Sequence, residues 1–194
     1  HPSMRRLFPL LALGLLALSL RAATPFAHEG SDLQPDPAVR YGTLPNGLRY
    51  ALRANAEPKQ RASLRLLIEA GSLHEAEDQR GLAHFLEHML FLGTRKFPDA
   101  NAYAAFLSEN GGRSNAFTAT ENTNYYFEID AGWLEPSLDR FSQFFIAPLF
   151  TADYVNRERN AVNSEYQSGL QDDGRRSQAI LKAILNPQHP MAGF

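Results

Sequence analysis

His84-Phe85-Leu86-Glu87-His88 gathers two imidazoles and a carboxylate in one short run. On a helix, residues four apart share a face, so both rings can meet one ion. Glu87 follows His84 by three positions and precedes His88 by one. It borders the same face, displaced enough to reach a metal-bound water rather than the metal. The order His-x-x-Glu-His is the inverted form of the His-Glu-x-x-His zinc pattern. The plain alternative is a helix whose two histidines point at solvent or at core carbonyls. Gly81 to Leu92 is otherwise so apolar that two histidines and a glutamate there need a partner.

Zinc held by two histidines needs at least one more protein ligand, with one position left open for catalysis. Glu158 and Glu165 are the candidates. Seven residues apart on a helix, they face the same side, two turns or ~10 Å from each other. One can ligate while the other hydrogen-bonds a ligating histidine and fixes its tautomer. The competing reading is a solvated charged face, because Arg157 and Arg159 flank Glu158. The chain contains no cysteine, which excludes a thiolate zinc site, a cysteine nucleophile and a disulfide scaffold. A metal here is held by histidine and carboxylate.

A net charge of −2 over 194 residues excludes a nucleic-acid binder that works by neutralising phosphates. Apolar residues at 44% and aromatics at 11% exclude a disordered chain. Met4 reads as the start of the polypeptide, and His1-Pro2-Ser3 before it is set aside. Arg5-Arg6 and the leucine-rich block Leu7 to Leu20 form the charged and apolar regions of a secretory signal peptide, residues 4–27. The apolar block is shorter than the ~20 residues that span a bilayer, so no stable membrane anchor is expected. The mature chain is expected outside the cytoplasm, periplasmic or secreted, and to start somewhere in 20–28. Residues 28–40, with Pro35 and Pro37, read as an extended arm.

Elements that position the chemistry follow from periodicity and punctuation. Tyr41 to Arg53 predicts a β-hairpin turning at Asn46-Gly47. Ser63 to Ala70 predicts a mostly buried strand ended by Gly71. Gly81 to Leu92 predicts a helix with Gly93 as its C-cap. Asp99 is the expected N-cap of a helix running to Gly111-Gly112. Arg113 to Ala119 and Tyr125 to Ile129 predict two strands around a polar turn. Helices are expected over Leu134 to Ile146, Ala152 to Leu170 and Arg175 to Leu185. The class is α+β, an antiparallel-rich sheet packed against helices.

The motif and its surroundings resemble the pitrilysin/insulinase family of zinc peptidases. His84 to His88, then 76 intervening residues, then Glu165 matches the family's pattern. Gly81 to Thr94 is similar to its zinc helix. Phe106 to Glu109, Ser114 to Thr118, Thr123 to Phe127, Glu158 to Glu165 and Asn186 to Pro190 continue the likeness. It covers about residues 41 to 194, implied to be the truncated, incomplete first domain of a pitrilysin-like metallopeptidase. Position by position, the resemblance implies that His84, His88 and Glu165 ligate one zinc ion and that Glu87 is the general base. It makes Glu158 the carboxylate behind a ligand. It puts Asn115 and Ala116 on a strand that pairs with substrate, and Phe91 at the floor of the site. The resemblance also implies a longer clamshell whose second half supplies further groups to the substrate carbonyl.

Together these predict an exported zinc endopeptidase that hydrolyses oligopeptides and small polypeptides through a zinc-bound water. Within the class, the alternatives are processing or cofactor-maturation peptidases. Outside it stands a non-catalytic peptide-binding or partner fragment, although such members lose a ligand or the base and all four positions are present here. A last possibility is a piece too short to fold alone, leaving Leu170, Ile180 and Ile184 uncovered.

Overall fold

The computed structural model describes residues 26–184, so most of the segment read as a signal peptide, and the run Asn186 to Pro190, lie outside the described residues. The chain divides into two compact units, with the boundary between Asn55 and Ala56.

The first unit is built on an antiparallel hairpin, β1 (Val39–Thr43) and β2 (Arg49–Arg53), in register Val39 with Arg53 through Thr43 with Arg49. Its loop is one residue longer than a two-residue Asn-Gly turn. The Gly47 N–H donates to the Leu44 carbonyl and the Leu44 N–H to the Leu48 carbonyl, both at 2.8 Å. Pro45 sets a negative φ at the first loop position, which leaves Gly47 as the residue at φ +88°. The preceding arm is not simply extended. Ala27–Gly30 forms a 3₁₀ turn, and the Phe26 and His28 rings lie 5.1 and 4.5 Å from that of Tyr41.

The second unit carries the site. Its sheet has the order β3 (Arg61–Ile68), β5 (Thr123–Asp130), β4 (Arg113–Thr118), and both pairings are antiparallel. The central strand shows the expected two-residue period: Thr123, Tyr125, Phe127 and Ile129 are buried, and the residues between them are half-buried. On β3, Ala62, Leu64 and Leu66 pack inward while Leu67 is 52% exposed. That strand is thus an edge strand with one open face, not the mostly buried one its apolar run suggested. Burial of a short apolar run depends on neighbours that its own residues do not specify.

Helices α1 (Leu82–Leu90) and α2 (Ala102–Glu109) link β3 to β4. Asp99 does not cap α2. Its Oδ1 accepts from the Asn101 N–H at 2.9 Å and its carbonyl from the Ala102 N–H, a local turn that delays the helix by two residues. Helix α3 (Leu134–Ile146) buries Ser137, Phe141 and Phe144 along one face. With Leu90, Tyr103, Leu107, Ala116 and the inner residues of β5, Phe141 and Phe144 form the core. Leu138 and Phe145, on the same helix, are each 37% exposed. Helices α4 (Ala152–Gly169) and α5 (Asp173–Ala183) complete the unit. Among the described residues no helix is long and apolar enough to cross a membrane.

Candidate metal centre

Helix α1 starts from a glycine because the chain enters it left-handed, with Gly81 at φ +90°. Its first turn is capped from upstream. The Glu75 carboxylate accepts from the Gly81 N–H at 2.7 Å and from the Ala83 N–H at 2.6 Å, a negative group on the positive end of the helix. Nothing in the spacing of Glu75 announces this role, since an N-cap signal normally lies next to the helix. At the other end, Gly93 has φ +125°, and a Cβ there would lie 2.7 Å from the Pro98 carbonyl oxygen. Met89 and Leu90 bury one face of α1, and the helix lies against β4, β5 and α4.

Helix α4 begins at Thr151, whose Oγ1 accepts from the Tyr154 N–H at 3.2 Å. It brings Glu158 and Glu165 to the two histidines of α1. The His88 Nδ1 is 3.1 Å from Glu158 Oε2. The His88 Nε2 is 3.7 Å from Glu165 Oε1, and the His84 Nε2 is 3.5 Å from Glu165 Oε2. One imidazole ring thus spans the two helical turns that separate the glutamates. A carboxylate only accepts, so Nδ1 of His88 is the donor in this contact, and the ring's other nitrogen, Nε2, is turned toward Glu165 and His84. The Arg157 Nε donates to the other Glu158 oxygen at 3.1 Å, and the Glu158 side chain is largely buried. It is no freely solvated charge.

One donor atom from each of His84, His88 and Glu165 lies within 4.8 Å of the others. The two Nε2 atoms are 3.3 Å apart, and the rings stand at 82°. Two imidazole nitrogens on one tetrahedral zinc are about 3.3 Å apart. The donor set and its spacing fit that ion.

Glu87, on the same helix, reaches strand β4. It is buried, and its Oε2 accepts from the Thr118 hydroxyl at 2.5 Å. Nearby, burial first and the Glu87 charge second push the Tyr125 phenol above its ordinary range, so it stays protonated. Thr118 has no signature in the sequence, because its partner lies 31 positions away.

Strand β4 forms an outer edge of the sheet, and among the described residues no strand pairs with it there. The Ala119 N–H donates to the Asn122 carbonyl at 2.8 Å, and counting back by alternation turns the backbone groups of Ala116 outward. Asn115 Oδ1 takes that Ala116 N–H at 2.9 Å. Phe91, at the end of α1, packs its ring against Tyr103, Tyr125 and Phe144, with centroids 6.4, 6.2 and 5.3 Å away.

The family model described as Insulinase (Peptidase family M16) matches residues 50–188. The chain belongs to the M16 family. Its members are zinc-dependent peptidases, and the His-His-Glu group occupies the matched region. The chain is 46% identical over 151 residues to the insulin-degrading enzyme of Homo sapiens, covering 78% of this chain and 15% of that protein. It is 44% identical over 165 residues to the A-factor-processing enzyme of Saccharomyces cerevisiae, covering 84% and 16%. A crystal structure of pitrilysin superposes with a TM-score of 0.70 at 35% identity, covering 80% of this chain and 17% of that one. The chain therefore spans roughly a sixth of the length of these M16 relatives, and the likeness lies in their pitrilysin-like fold and their α+β class.

Proposed function

We propose that the chain carries the zinc centre of an endopeptidase that cleaves oligopeptides and small polypeptides. The observation that supports this best is the placing of His88, its Nδ1 against Glu158 and its Nε2 facing Glu165 and the His84 nitrogen. In this reading His84, His88 and Glu165 hold the ion. When bound, zinc supplies a Lewis acid that polarises a scissile carbonyl and lowers the pKa of water toward ~7.

The remaining roles belong to the chain's own side chains. Glu158 fixes the tautomer and direction of His88. Glu87 takes a proton from the attacking water as its oxygen bonds to the carbonyl carbon. The C–N bond then breaks and the proton passes to the leaving amine nitrogen. An extended peptide adds to the edge of β4, its carbonyl replacing Asn115 Oδ1 on the Ala116 N–H. Main-chain pairing reads little side-chain identity, which suits broad peptide cleavage. Phe91 and its ring partners form the floor beneath the metal helix. The rest of a polypeptide of the relatives' length supplies the facing wall of the site. The charged and apolar run Arg5 to Leu20 supports export to the periplasm or beyond.

The test pairs metal analysis with hydrolysis of a quenched fluorogenic peptide. The full chain is expected to hold about one zinc, lost in His88→Ala. Glu87→Gln is expected to keep zinc while hydrolysis falls about 100-fold or more. Zinc bound without hydrolysis in the parent chain would favour a peptide-binding partner instead. No zinc in a folded chain removes the metal site.

A further inference from the structure

We infer that Thr118 is the positioning residue for Glu87, its hydroxyl fixing one carboxylate oxygen so that the other faces the reacting water. The inference rests on the peptidase reading above. A glutamate side chain has three rotatable bonds, and a carboxylate that turns freely offers its lone pairs in every direction. Here Oε2 receives the Thr118 hydroxyl proton at 2.5 Å, within the range of charge-assisted O–H···O bonds. The hydroxyl is the donor and the carboxylate oxygen the acceptor. Oε1 is then the oxygen left for the water.

The clamp works only if Thr118 is itself fixed, and four features fix it. It is the last residue of β4, on the inner face with Ala116, and threonine is stiff at χ1. The hairpin closes immediately after it, through the Ala119 N–H and the Asn122 carbonyl. The segment after β3 then locks that turn: Ser72 N–H donates to Ala119 O at 3.2 Å and Leu73 N–H to Thr120 O at 2.8 Å. This close approach requires Gly71, where a Cβ would stand 2.3 Å from Ala119 O. Across the ladder, Thr123 is buried and its hydroxyl donates to the Ala70 carbonyl at 2.9 Å. A hydroxyl on so rigid an edge can hold a buried carboxylate in one orientation.

Thr118→Val keeps the branched shape and removes the donor, and Thr118→Ser restores a donor on a smaller side chain. Two readouts are needed. In the metal-free full chain, NMR of the Glu87 side-chain methylenes reports whether one rotamer persists. In the zinc-loaded chain, kcat and KM for a fluorogenic peptide are measured with zinc content. Thr118→Val is expected to average the Glu87 rotamers and lower kcat about tenfold or more, with KM and zinc unchanged. Thr118→Ser is expected to recover both. A Glu87 rotamer that stays fixed in Thr118→Val overturns the inference. So does a loss of kcat that follows loss of zinc. If the parent chain fails to hydrolyse peptides, the peptidase reading falls, and the rotamer comparison still decides whether Thr118 holds Glu87.

Discussion

Glu87, Glu158 and Glu165 are the same side chain in three settings, and their surroundings separate their roles. Glu165 is 55% exposed and meets both histidine Nε2 atoms, which suits a ligand. Glu158 is half-buried beside His88 and meets its Nδ1, which suits a support. Glu87 meets neither imidazole and is held by a hydroxyl. Glu158→Ala is accordingly expected to weaken zinc binding by about 10- to 100-fold, the usual cost of losing a ligand's hydrogen-bond partner. Glu165→Ala is expected to weaken it further still, because a bond to the ion itself is lost. Competition with a chromogenic chelator measures both. Equal losses would mean that the two roles are wrongly assigned, and a larger loss in Glu158→Ala that ligand and support are exchanged.

At the scale of elements, the centre depends on two helices that approach from distant parts of the chain. The periodic apolar segments were legible as helices α1 and α3, since a 3.6-residue stripe needs no knowledge of its partner. Their ends were less so. Asp99, next to α2, forms a local turn in place of the expected cap, and Glu75, six positions upstream of Gly81, caps α1. Glu75→Ala leaves the Gly81 and Ala83 N–H groups without this partner. It should cost about 1 kcal/mol, read as a lower urea midpoint with the slope unchanged. If the midpoint stays in place, water replaces the carboxylate at no cost and the cap does not anchor the helix.

For the whole molecule, a metal that ties α1 to α4 binds the folded chain only and so stabilises it. Removing zinc with a chelator is expected to lower Tm, and adding zinc back to restore it. At a free zinc level 100 times the Kd the linkage is worth about 2.7 kcal/mol. No shift on chelation would detach the metal from the fold. Stability also has a limit at high pH. Burial pushes the Tyr103 and Tyr125 phenols above the ordinary value of 10.0. Their folded pKa values are raised, so their contribution is complete below pH 10 and is lost as pH rises past it, where the unfolded chain releases protons that the folded chain keeps. Thermal melts from about pH 9 upward should therefore show Tm falling, and less steeply in Tyr125→Phe. Leu170, Ile180 and Ile184, the positions the sequence left without cover, are 49, 70 and 77% exposed among the described residues.

The residues alone determined the α+β class, the hairpins, and a pair of histidines four apart on a helix. Each is a local property, set by periodicity, by turn residues, or by helix geometry over one turn. They also narrowed the third ligand to two glutamates, which period and spacing could not tell apart. The tertiary structure gives them different surroundings, because which nitrogen of His88 each one meets is set only after α4 has packed on α1. The same holds for Thr118 on Glu87 and for Asn115 on the outward Ala116 N–H. The first is a hydrogen bond between elements far apart in the chain. The second depends on which strand lies outermost, and strand order is settled when the core closes, not by any strand's own residues.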